Sequence, residues 1–185
     1  MSKIDQLAAL YEREISVPWQ RTIAGAQRVI LVVYDKESER AFRARKAEFE
    51  NRTRSAGYGW VEFDCTRSFA EWMSADDYRE AYFEEPEALR MKLDSEFLSA
   101  VAQPLRQLLQ NADGNTVVAM TGVGCLYGFT HVSELIREVE TDIAGRLVVF
   151  FPGSKDGNNY RLLDARNGWN YLARGITLHG SGGMT

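Results

Sequence analysis

Residues 28–34 read RVILVVY, an unbroken apolar stretch rich in β-branched side chains. A strand with one wet face alternates polar and apolar residues; this one does not, so both of its faces must be covered. That is the pattern of a central strand in a parallel sheet, whose crossover connections lay helices on both sides. The remaining strands are expected at 60–64, which alternates, at 116–121 (TVVAMT), and at 146–151 (RLVVFF), closed by Pro152-Gly153.

Helical patterns lie between them. Ser2 with Asp5 three residues later forms a capping box that opens a helix reaching about Ile15, with Ile4, Leu7 and Tyr11 on its apolar stripe. Residues 35–55 are charge-rich and helical, ended by Gly57 and Gly59. From 68 to 112 the chain reads as helices only; Pro86 suits a first turn, and Pro104 is expected to kink or split the helix. Asp113-Gly114-Asn115 is a turn, and a further helix is expected over 130–140. Residues 160–165 and 169–176 flank Asn167-Gly168, a β-hairpin signal.

Strands alternating with helices predict an α/β fold: a single three-layer domain over 1–179, a mainly parallel sheet with helices on both faces, and a C-terminal β-hairpin. Strand order is left open. The last residues, 180–185 (GSGGMT), are expected to form a disordered tail.

At 185 residues and 45% apolar content the chain can build one core without staples. Its 22 basic and 26 acidic residues give a net charge of −4, which exerts no general pull on nucleic acid or acidic membranes. Residues 2–14 are charged and helix-like rather than a signal peptide, and no apolar run nears the roughly 20 residues that span a bilayer. Cys65 and Cys125, distant in sequence and outside any CxxC or Cys/His cluster, read as reduced, buried thiols. The expectation is a cytoplasmic protein.

The loop Gly122-Val-Gly-Cys-Leu-Tyr-Gly128 follows a strand and precedes a helix, where backbone amides can cradle phosphate. A GxxxxGK[ST] loop is absent: Gly122 and Gly128 are one residue too far apart, and Phe129 stands where lysine is needed. Position 127 is tyrosine, which breaks GxGxxG, and Phe151-Pro152 offers no carboxylate for Mg²⁺. Gly122, Gly124 and Gly128 therefore read either as a degenerate nucleotide or anion loop or as a tight turn using glycine's freedom at positive φ.

His131 and His179 with the two cysteines do not make a zinc set, and no GxSxG elbow or activated cysteine is recognisable. No catalytic, cofactor or metal site is assigned. Around the expected hairpin, Tyr160, Arg161, Asp164 and Asn170 could be presented to a partner, or serve the turn itself. Arg40, Arg43 and Lys46 could approach DNA, although Glu37, Glu39, Glu48 and Glu50 among them make an ion-paired helix the plainer reading. Residues 71–96 carry nine acidic and three basic side chains. Among them Tyr78, Tyr82 and Phe83 are candidate anchors for a protein partner.

The strings at 146–153 (RLVVFFPG) and 159–173 (NYRLLDARNGWNYLA) resemble the BrxB family. So do Gly122-Val-Gly124 with Leu126-Tyr-Gly-Phe129, residues 78–83 (YREAYF), Pro18-Trp19 and Val32-Val-Tyr-Asp35. The likeness runs from about Ile4 to Ile176. It implies a small, non-catalytic component of BREX, a bacterial system that restricts phage and marks host DNA by methylation. The implied partner is PglZ, the system's alkaline-phosphatase-like protein, with a large ATPase and a methyltransferase in the wider assembly. The family supplies no catalytic residue to carry over.

Overall fold

The computed structural model describes residues 1–178; His179 and the expected tail at 180–185 lie outside the described residues. Five strands form a parallel sheet: β1 (Val29–Tyr34), β2 (Gly59–Asp64), β3 (Thr116–Thr121), β4 (Arg146–Asp156) and, after the hairpin strands β5 (Asn159–Leu162) and β6 (Trp169–Asn170), β7 (Arg174–Ile176). Their order is β2-β3-β4-β1-β7, which puts the all-apolar β1 between β4 and β7. Every residue of β1 is buried, as its sequence demands.

Alternate residues of β1 feed two separate cores. Ile30, Val32 and Tyr34 pack beneath α1 (Lys3–Ser16) and α2 (Glu39–Ser55). Val29, Leu31 and Val33 pack beneath α6 (Leu98–Asn111) and α7 (Val132–Val139). The expected capping box is formed: the Asp5 amide donates to Ser2 Oγ at 3.1 Å and the Ser2 amide to Asp5 Oδ2 at 2.8 Å. Helix α6 runs through Pro104 without splitting. The irregularity lies just upstream, where Leu93–Phe97 forms a π turn. Three short helices fill the segment before it: α3 (Ser68–Ser74), α4 (Arg79–Glu84) and α5 (Pro86–Lys92), the last opened by Pro86. Among the described residues, no helix is long and apolar enough to cross a membrane.

The C-terminal strands depart from expectation. Asn167-Gly168 does not make a tight turn; β5 and β6 share only the pairs Asn159↔Asn170 and Tyr160↔Trp169, joined by a longer connection. The tight turn is Gly157-Asn158 between β4 and β5, with Gly157 at φ 57° and Asp156 paired to Asn159. Beyond β6 the chain does not continue the hairpin. Residues 174–176 run instead parallel to β1, as an edge of the main sheet.

Within the α1–α2 core, Thr53 Oγ1 donates to the Phe49 carbonyl at 2.8 Å, so its single proton is used. The Tyr11 hydroxyl, 2.6 Å from Thr53 Oγ1, is therefore the donor between them. Burial holds that phenol protonated, far above the ordinary tyrosine range. Tyr11→Phe should cost about 1 kcal/mol, visible as a lower denaturation midpoint at unchanged slope. No change would mean that Thr53 finds another donor.

Three aspartates accept hydrogen bonds that favour their charged form. Asp5 is served by the Ser2 amide and hydroxyl, Asp76 by Lys92 and the Tyr78 amide, and Asp113 by the Thr116 hydroxyl and the Asn115 amide. Each is held below the usual carboxylate range. Their stabilisation is complete above the unfolded-state value of about 3.9 and is lost as pH falls through the lower folded values. The urea midpoint should thus drop between about pH 4.5 and 2.5; a flat profile there would refute this.

Candidate functional site

In open parallel α/β sheets, ligands enter at the carboxyl ends of strands where neighbouring connections leave for opposite sides. Here that place lies between β1 and β4. The chain leaves β1 through α2 toward β2, whereas β4 leads the other way, past β1 to β7.

This crevice is filled by the chain itself. Pro152, buried, ends the parallel pairing opposite Tyr34. A 3-10 turn, Val123–Leu126, lies against it, so that a Cβ at Gly124 would sit 3.4 Å from the Pro152 ring and 3.7 Å from Leu163. An ion pair between Lys36 and Asp164 spans from the loop after β1 to the segment after β5. The cavity left among α1 and the ends of β1 and β4 measures about 80 Å³, well short of the roughly 300 Å³ at which small-molecule pockets begin.

The glycine loop is spent on packing. The amides of Cys125, Tyr127, Phe129 and Thr130 donate to the carbonyls of Gly122, Gly124, Leu126 and Leu126. Gly122 has φ 68°, and a Cβ there would lie 2.4 Å from Thr66 Oγ1 and 2.6 Å from Asp64 Oδ1. The carboxylate that touches the loop is held in its charged form: burial opposes this, but the Thr66 hydroxyl and amide prevail. Its sign is wrong for a phosphate cradle. Gly128, at φ 84°, meets nothing within 4 Å and serves the turn into α7.

Other candidate residues separate in space. On α2, Arg43 donates to Glu39 at 2.8 Å and Lys46 pairs with Glu62, leaving only Arg40 of the expected DNA-facing cations without an ion pair among the described residues. The i,i+4 pairs Glu39–Arg43, Glu48–Arg52 and Glu50–Arg54 make this an ion-paired helix face. Cys65 is buried, and that burial pushes its thiol up, away from reactivity; Cys125 is half-buried rather than fully so. Among the described residues no three His, Cys, Asp or Glu side chains gather as a metal set.

The open surface lies on the other side of the hairpin. A groove of about 890 Å³ runs between the end of α5, the loop ahead of α7, and strands β5 and β6. Its apolar wall is aromatic: Phe129 stacks on Phe69 at 4.0 Å, and Trp169 leans on Tyr160 at 5.8 Å and on Tyr171 at 4.7 Å. Arg90, Asp94, Glu134, Asp164 and Arg166 supply mixed charge along its rim, with the His131 ring among them.

Of the residues expected to meet a partner, Tyr160 must be withdrawn as an exposed anchor. It is 1% exposed, with its hydroxyl donating to the Ala173 carbonyl at 3.3 Å. Arg161 and Asn170 are exposed but do not line the groove, whereas Asp164 does. Tyr78 and Phe83 stand 72% and 74% exposed; Tyr82 is half-buried against Lys92. Sequence reasoning missed the loop side of the groove and Met91, which is 76% exposed. Helical spacing alone gave no sign of which way Met91 points.

Comparison with known proteins brings in one family. The family model described as BREX protein BrxB matches residues 66–174, 109 of the 185 positions. The chain belongs to the BrxB family. The match covers the groove, the glycine loop and all three short helices, while the similar strings at Pro18-Trp19 and Val32–Asp35 lie before it. As a BrxB-family member the chain is a component of a BREX phage-defence system. No curated protein and no solved structure gives a match.

Proposed function

We propose that this BrxB-family chain is a non-catalytic assembly or regulatory subunit of BREX that works in the cytoplasm by binding PglZ. The wider assembly, with its ATPase and methyltransferase, is reached through that contact. The observation that carries this reading is the self-filled crevice: Pro152, Leu163 and the turn at Val123–Leu126 occupy the position where such sheets hold substrates. The surface left for recognition is external, namely the aromatic-walled groove and the exposed side chains on α4 and α5. A groove of this size with apolar walls and a charged rim suits a protein segment held by surface complementarity.

The test is co-purification of the chain with PglZ of the same system, followed by light scattering. A complex of defined mass at micromolar concentration is expected. A chain that elutes alone, with PglZ folded and present in excess, would sink the proposal.

A further inference from the structure

Helices α4 and α5 contain no buried residue. Helices this short, six and seven residues, do not persist in water unaided. Lys92 ties the two ends of the segment together, beside hydrogen bonds from Arg79 to the Ser74 and Asp76 carbonyls. Lys92 pairs with Asp76 and, at 3.7 Å, with Glu96; its ammonium also lies 5.5 Å from the centre of the Tyr82 ring and 5.9 Å from that of Trp72. The segment from Asp76 to Lys92 is thus a preformed arm pinned to the body at its base.

The outward face of the arm carries Tyr78, Phe83 and Met91, each more than 70% exposed. They are three of the seven large apolar side chains that stand exposed among the described residues. Around them Asp77, Glu80, Glu84, Glu85 and Glu87 are exposed, and among the described residues none of the five forms an ion pair. Elsewhere on the surface, by contrast, carboxylates such as Glu39, Glu48 and Glu50 are matched to arginines.

We infer that this arm is a docking surface for a basic protein face: an apolar pocket that takes Phe83 and Met91, ringed by lysines and arginines that meet the five unpaired carboxylates. The inference rests on the PglZ reading and supplies the chemistry of PglZ's side of the contact. Complementary charge sets the association rate and the register, while buried anchors set the lifetime. Nucleic acid and anionic lipid are repelled by the same carboxylates. Because the arm is already ordered, little conformational freedom is lost on docking.

The test uses the full chain and PglZ, with affinity measured at several salt concentrations. Wild-type affinity should weaken as salt rises. F83S/M91S should bind about 100-fold more weakly, and E84K/E85K/E87K about tenfold more weakly, chiefly through slower association, with a flatter salt response. All five positions are exposed, so the thermal midpoint of each variant should match the wild type. As a second readout, a photo-crosslinker at position 83 should attach to a PglZ peptide rich in Lys and Arg. Binding within twofold of wild type by both variants, or crosslinks confined to an acidic PglZ surface, overturns the arm while leaving the subunit reading intact. If the wild-type chain does not bind PglZ at all, the reading and the inference fall together.

Discussion

Phe150→Ala should remove about 3–5 kcal/mol from the folded state, the top of the range for a single core substitution. Phe150 is fully buried on β4, with the rings of Phe42 at 4.8 Å, Phe49 edge-on at 4.9 Å, Trp60 at 6.2 Å and Tyr11 at 6.5 Å. Those rings come from α1, α2 and β2, so one side chain joins three elements to the central sheet. Removing it leaves a cavity that four rigid neighbours cannot readily fill. Against a typical total of 5–15 kcal/mol, such a loss is about a fifth of the stability or more. Urea titration measures it directly. A loss below about 1 kcal/mol would show that the cluster repacks and that the α1–α2 face is less rigid than its geometry implies.

The second large effect is expected at Gly153, where β4 leaves the parallel sheet and enters the hairpin. A Cβ there would lie 2.0 Å from the Arg161 carbonyl oxygen and 3.1 Å from the Phe151 ring. The nearer neighbour is backbone on the paired strand, so it cannot swing aside. Gly153→Ala should cost about 1–3 kcal/mol, occasionally more. Since β5 is a wall of the groove, PglZ affinity should also fall by about tenfold, or 1.4 kcal/mol. Gly157→Ala is the control: its φ of 57° carries strain, but nothing lies within 4 Å, so about 1–2 kcal/mol of stability is lost with PglZ affinity kept. Equal affinity losses at both positions would mean that the hairpin's fit to the sheet is not what shapes the groove.

Much of the fold was legible because its signals are local. The capping box of Ser2 and Asp5 is written within four residues, and the two-faced burial of β1 follows from its lack of any polar alternation. The end of the chain was misread for the opposite reason. Asn167-Gly168 is a good turn pair, but Gly157-Asn158 is also one, and the choice is made by pairing with β4. Likewise nothing in Arg174–Ile176 announces that it will join β1, since a three-residue edge strand takes its place from its distant partner. At the candidate site, the missing lysine already argued against a phosphate loop. That an aspartate would press on Gly122 needed the fold, because Asp64 belongs to another strand. Tyr160, set among polar residues in sequence, looked exposed; strand alternation turns it inward between Asn159 and Arg161.

The strand order also governs how the chain can be made. Val29 pairs with Leu147 and Ile30 with Arg174, so this apolar, β-prone segment finds no sheet partner until most of the polypeptide has left the ribosome. Throughout synthesis of the intervening helices, RVILVVY has helices to pack against but no strand to pair with, and both its hydrogen-bonding edges are open. Premature termination between β1 and β4 therefore releases a fragment with a bare β-edge, and such products should be found in inclusion bodies or held by chaperones rather than as shorter soluble forms.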